Sequence, residues 1–148
     1  MTTFEGPVKA MPQPAGVVFD FLSNFNHFEA LLPPQYVKDW ESDGDACRFS
    51  VEGVGEIGLR IVDREPNKTI KFAADGKTPF LFHLWVQLKE LAPGDTRVKL
   101  TIKAELNPML KMMVSPAISK FLDVVTTAIA RYDYPPLDAS SASLDESV

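Results

Sequence analysis

From Thr96 to Leu106 every second residue is apolar. Val98, Leu100, Ile102, Ala104 and Leu106 point one way, and Arg97, Lys99, Thr101, Lys103 and Glu105 point the other. Strict alternation predicts a strand with one buried and one wet face, the mark of an antiparallel sheet. The same period recurs upstream. Phe80, Phe82, Leu84, Val86 and Leu88 lie opposite Leu81, His83, Trp85 and Gln87. Ile70, Phe72 and Ala74 share a face, as do Ile57, Leu59 and Ile61, and Cys47, Phe49 and Val51. Gln35 to Ser42 reads as a further strand, and Thr3 to Ala10 as a first one broken at Gly6-Pro7. Between these runs stand SDGD, GVGE, REPNK, Gly76 to Pro79 and APGD, each with the glycine, asparagine, aspartate or proline that a reversal needs.

Three segments break the two-residue period. Val17, Val18, Phe21, Leu22 and Phe25 fall at helical spacing, with Pro14 suited to a first helical turn. A second short helix is expected over Asn26 to Leu32, stopped by Pro33-Pro34. Asn107-Pro108 then reads as an N-cap followed by proline at the first helical position. Leu110, Val114, Ala117, Phe121, Val125, Ala128 and Tyr132 follow at three- and four-residue steps, flanked by Met113, Ile118, Leu122, Val124 and Ile129. The apolar face is therefore broad. Ser115-Pro116 repeats the cap-and-proline signature and predicts either a kink or a short helix abutting a longer one.

The order is thus a strand, two short helices, a run of turn-linked strands and one long C-terminal helix. A meander apolar on one face needs a cover, and only the last helix is long enough to supply it. A twisted sheet wrapped around a helix leaves space between them, because its curvature need not follow the helix cylinder. The expected fold is α+β: a curved antiparallel sheet of about six or seven strands gripping the long helix.

This layout, with FDFLSNFNHFEALLP near the start, GEIGLRIVDREPNKTIKF in the middle and AELNPMLKMMVSPAISKFLD at the end, resembles the START-like, birch-pollen-allergen-like helix-grip superfamily (SRPBCC). Bacterial members of that group are often labelled polyketide cyclase or lipid-transport-like. The resemblance covers Thr3 to Tyr132 and rests on layout and hydrophobic spacing, with no superfamily-wide catalytic signature. It implies the helix-grip fold and an apolar or amphipathic small molecule or lipid held between sheet and long helix. Fold alone gives no reaction.

Composition narrows the partners. At 148 residues with 45% hydrophobic content, one domain with a substantial core is expected. It should span residues 1–132, with 133–148 a disordered acidic tail. Net charge is −5, and removing Asp138, Asp145 and Glu146 of the tail leaves −2. Lysines and arginines are scattered among acids, with no stripe to track phosphates, so a nucleic-acid partner is not expected. A single cysteine, Cys47, fits a reducing compartment. The N-terminus lacks a basic start followed by an apolar run. The uncharged central run TPFLFHLWVQL is too short to span a bilayer. A cytoplasmic, non-membrane-spanning protein is expected.

Candidate chemistry is sparse. DWESDGD mimics the first half of a calcium loop, but its twelfth position is Ser50, so no metal site is expected. Cys47 and the histidines His27 and His83 would need to meet to act together, and Cys47 sits among Phe49 and Val51 as a small hydrophobe. His83 alternates onto the outer face with Trp85. Arg48, Arg60 and Arg64 alternate away from the apolar sides of their strands. Met109, Met112 and Met113 form a soft patch at the start of the long helix, read first as core and second as ligand contact.

No catalytic residue and no cofactor is expected. The expected ligand contacts are Phe49, Val51, Ile57, Leu59, Ile61, Phe72, Phe82, Leu84, Leu100 and Ile102 from the sheet, and Met113, Ala117, Phe121 and Val125 from the helix. Binding of an apolar molecule or lipid without catalysis leads. A cyclase- or dehydratase-like enzyme is the alternative, and a protein-interaction module of the same fold is the third reading, which self-association into a homodimer would favour.

Overall fold

Each turn marked in the sequence reverses the chain, and the strands between them pair into a single antiparallel sheet. The structure, a computed structural model, describes residues 1–76 and 78–134. The strands are β1 (Thr2–Glu5), β2 (Lys9–Met11), β3 (Val37–Ser42), β4 (Ala46–Val51), β5 (Gly55–Glu65), β6 (Thr69–Ala74), β7 (Phe82–Ala92) and β8 (Asp95–Ala104). Their order is β1-β8-β7-β6-β5-β4-β3, with β2 also on β8. The meander expected from the sequence is therefore present, from β3 to β8. The expected first strand is two pieces on one neighbour, and counting them separately makes eight strands.

Register puts the alternating apolar residues on one face. Phe72 pairs with Leu84, Leu84 with Ile102, and Val86 with Leu100. All five are buried. Trp85 pairs with Lys71 and Thr101, and His83 with Lys103, on the opposite face. Strand β3 breaks the pattern: its register shifts between Lys38 and Glu41, where Asp39 adopts φ 56°. Such a bulge re-aims side chains, and here Trp40 stacks on Phe49, ring centroids 5.4 Å apart.

Helix α1 (Ala15–Leu22) has Pro14 as its N-cap, which supplies no side-chain acceptor. Glu90, near the end of β7, takes that role: Oε1 accepts from the Ala15 N–H and Oε2 from the Gly94 N–H, each at 2.9 Å. One carboxylate thus ties the β7–β8 turn to the helix. The second helical segment is a 3-10 turn (Phe25–His27) running into α2 (Phe28–Leu31).

Helix α3 (Pro108–Arg131) is one element. Asn107 Oδ1 accepts from the Leu110 N–H at 2.8 Å, as an N-cap does. Pro116 lies inside it without dividing it, so of the two readings at Ser115-Pro116, a kink or a short helix abutting a longer one, the second is corrected. The carbonyl that loses its partner there belongs to Met112, a residue exposed to water. Val114, Ile118, Leu122, Val125 and Ile129 form the buried line. At the break between β1 and β2, a Cβ on Gly6 would lie 3.1 Å from Leu122 Cβ, while the Gly6 N–H donates to Leu100 O at 2.9 Å. Glycine here lets the helix sit on the sheet's backbone.

Helix α3 is also long and apolar enough to match a membrane span. Its buried line against the sheet makes it a core helix. Past its end, Tyr134 is buried and its hydroxyl donates to Ile129 O at 2.8 Å. The expected tail starts one residue earlier, and residues 135–148 lie outside the described residues.

Two backbone N–H donors hold the Glu90 carboxyl below its ordinary pKa of 4.5. A depressed folded pKa contributes stability above the unfolded value and loses it as pH falls through the folded one. Glu90→Ala is therefore expected to lower the melting temperature by a few degrees at pH 7. The deficit should shrink as pH falls below the ordinary carboxyl value of 4.5, as thermal unfolding followed by circular dichroism across pH would show.

Candidate functional site

Helix α3 rests closely on β1, β2 and β8, and the space widens toward β4 through β7. Large side chains fill that wedge. Phe25 packs on Phe28 and Phe72, and Trp40 on Phe28 and Phe49. Phe49 also faces Phe121 of α3, with ring centroids 6.1 Å apart and planes only 5° from parallel.

Between the rings remain two small cavities. The larger, about 30 Å³, is lined by Phe49, Val51, Val54, Ile57, Leu59, Phe80, Phe82, Leu84, Ile102, Ile118 and Phe121. The smaller, about 20 Å³, is lined by Phe25, Phe28, Leu32, Trp40, Phe49, Leu59, Phe72, Leu84, Val86, Leu100, Phe121, Val125 and Ile129. Phe49, Leu59, Leu84 and Phe121 belong to both and form the partition. Val54 and Phe121 are only half-buried, so the larger cavity approaches the surface beside the β4–β5 turn. There Gly53, at φ 86°, faces Ala117: a Cβ on it would lie 3.1 Å from Ala117 Cβ.

Among the described residues the lining has one polar side-chain atom, the Trp40 indole nitrogen, whose N–H donates to Ser42 Oγ at 3.2 Å. None of these side chains titrates. Each cavity is large enough for a water or two, but an apolar void stays dry. The arrangement can bind by apolar burial and dispersion.

Most of the expected contacts meet here. Phe49, Val51, Ile57, Leu59, Phe82, Leu84, Ile102 and Phe121 line the larger cavity. Phe72, Leu100 and Val125 line the smaller. Three do not line either. Ile61 is buried farther along β5. Ala117 packs beside the Gly53 turn. Met113 is corrected outright: it is 68% exposed. The helix's buried line runs through Ile118 and Leu122 instead, so Met113 turns away from the sheet. Met109 and Met112 are exposed too, correcting their reading as core.

Sequence reasoning missed several lining residues. Val86 alternates with Leu84 and was within reach. Ile118 and Ile129 flank the helix line that was preferred. Phe28 and Trp40 come from short or bulged elements whose facing no periodicity reveals, and Phe25, read at helical spacing, lies in the 3-10 turn beyond α1.

The polar candidates have other employment. Cys47 is buried on β4, and burial pushes its thiol well above its ordinary pKa. The His27 Nδ1–H donates to Phe21 O at 2.7 Å and the ring stacks on Phe21, so it does not serve Cys47. His83 lies on the outer face beside Trp85, over which Lys71 and Lys103 sit at 5.4 and 5.7 Å. Arg48 pairs with Glu56, Arg60 with Asp75 and Arg64 with Asp45, all at 2.7 to 2.9 Å. In the DWESDGD stretch, Asp43 Oδ1 accepts from the Asp45 and Ala46 N–H groups, and Gly44 adopts φ 101°. These are the parts of a hairpin turn.

Cys47 should resist thiol–disulfide exchange, since the thiolate is the reactive species. Its labelling by a disulfide reagent at pH 8 is expected to be at least about a hundredfold slower than in denatured protein. Labelling at the denatured rate would contradict its placement.

No protein-family model matches the sequence, and no curated protein does. Solved structures resemble it in fold. A truncated norcoclaurine synthase from Thalictrum flavum superposes with a TM-score of 0.73 at 14% identity, covering 88% of this chain and 91% of that one. A protein from Chromobacterium violaceum gives 0.63 at 13%, covering 92% and 100%. An uncharacterised protein from Bacillus thuringiensis gives 0.60 at 13%, covering 86% and 98%.

Proposed function

This chain carries the START-like, birch-pollen-allergen-like helix-grip fold, and on that footing we propose that it binds one small apolar molecule or lipid chain between its sheet and α3, without catalysis. One observation carries the reading. Two wholly apolar cavities lie end to end, divided only by Phe49, Leu59, Leu84 and Phe121. They are the two ends of one pocket in its closed form.

A pocket that encloses a drug-sized ligand runs to ~300–1,000 Å³. Cavities of about 30 and 20 Å³ are far smaller. Binding therefore requires the partition to move. Phe121 is the member best placed to do so, since it is half-buried and lies on the helix rather than the sheet. Swinging its ring out joins the two spaces. The ligand then replaces the ring's contacts and adds roughly 25 cal/mol for each Å² of apolar surface it buries, before ordering costs.

The lining favours binding over chemistry. Norcoclaurine synthase from Thalictrum flavum has been seen in complex with dopamine and hydroxybenzaldehyde. A general acid or base needs a titratable atom within about 3 Å of the proton it moves. Neither cavity offers one in this chain.

Two substitutions test the reading with a fluorescent apolar probe. Phe121→Ala removes the partition and is expected to bind the probe about tenfold more tightly, while costing ~2 kcal/mol of stability because the site is only half-buried. Ile118→Phe fills the larger cavity and should weaken uptake about tenfold, with a stability change within ~2 kcal/mol. Unaltered probe affinity in both variants would overturn the pocket.

A further inference from the structure

Among the described residues one buried side-chain polar atom has no hydrogen-bond partner, the hydroxyl of Tyr36. Polar groups taken out of water are nearly always paired, so an orphan calls for a cause. Tyr36 directly precedes Val37, which pairs with Val51 of the larger cavity's lining. Lys120 of α3 holds its Nζ over the Tyr36 ring, 5.4 Å from the centroid. Lys120 is exposed and pairs with no carboxylate among the described residues. Asp123, three residues along, and Glu52, in the β4–β5 turn, are exposed as well. The helical neighbours of Lys120 fix where this pair sits. Ala117, one turn back, abuts the Gly53 turn, and Phe121, the next residue, belongs to the partition between the cavities. A neutral donor and an unpaired cation therefore meet at the rim of an apolar pocket.

We propose that Tyr36 and Lys120 bind the carboxylate of an amphipathic acid whose hydrocarbon chain enters the cavities. The proposal rests on the pocket reading and deepens it by naming the class of ligand.

Chemistry selects the head group. Burial raises the Tyr36 hydroxyl above its ordinary pKa of 10.0, so it stays a donor at neutral pH. One O–H and one ammonium match the two oxygens and single charge of a carboxylate. A phosphate monoester adds a third oxygen and a second charge, and this pair has only one cation. An alcohol leaves the ammonium without a counter-charge. Lysine is a point charge on a flexible stem, so Nζ can leave the ring and follow the head group. The Tyr36 hydroxyl is covered in the closed form. Phe121, whose displacement joins the cavities, is the residue next to Lys120, so chain entry and head-group capture are one movement.

The test is displacement of the uncharged dye N-phenyl-1-naphthylamine at pH 7 by decanoic acid, 1-decanol and decyl phosphate, which share one chain. Decanoate is expected to displace it about tenfold more effectively than the alcohol, and more effectively than the phosphate. Tyr36→Phe and Lys120→Met should each cut the preference for the acid about threefold. The double variant should abolish it, with affinities for decanol and dye unchanged. Tyr36→Phe should leave the melting temperature unchanged or raised, because it removes a buried hydroxyl that makes no bond. No preference for the acid over the alcohol overturns the proposal. So does a preference for the phosphate over the acid, or a double variant that keeps the wild-type preference. Dye uptake separates this proposal from the pocket: no uptake brings down both, and uptake without preference for the acid brings down this one alone.

Discussion

The structure depends on how closely a straight helix can follow a twisted sheet. The two touch along one line, where Gly6 lets α3 approach the backbone of β1, β2 and β8 and Leu122 sits against it. Away from that line the surfaces diverge, because a sheet's twist accumulates from strand to strand while a helix stays straight. The divergence must be filled, and it is filled with rings: Phe25, Phe28, Trp40, Phe49, Phe72, Phe82 and Phe121. Flat rings set at varied angles pack well locally but leave narrow gaps where they meet. The two cavities are those gaps.

Much of this was legible in the residues. The strands from β4 to β8 are written in alternating side chains, and the turn residues between them give the meander directly. A meander apolar on one side and one long helix leave little choice of architecture. The sheet's contribution to the site follows from the same alternation, which is why Phe49, Leu59, Leu84 and Ile102 could be named from spacing alone. The helix was harder. Two stripes compete on it, one through Ala117 and Ala128, the other through Ile118 and Leu122. Exposed methionines widened the apolar face enough to hide which was inward. Tertiary contact at Gly6 decides between them, and no local pattern records that contact. Trp40 was invisible for another reason: a bulge at Asp39 re-aims it, and bulges leave no period in the sequence.

The charged residues lie on the outer side. Arginine–carboxylate pairs, His83 and the lysines over Trp85 belong to the outer face, and the polar groups buried inside include the indole N–H of Trp40, the raised thiol of Cys47, and the hydroxyls of Thr96 and Thr126, which donate to backbone carbonyls. That division underlies the choice of binding over chemistry. It also makes the exposed methionines of α3 stand out, since they are the part of the apolar inventory that the core does not use.

The most direct measurement is a crystal structure of the chain grown with a naphthalene-sized apolar probe. Density for the probe lying across both cavities, with the Phe121 ring displaced from Phe49, is the predicted result. A probe found only on the surface, with Phe121 still stacked on Phe49, would contradict the account.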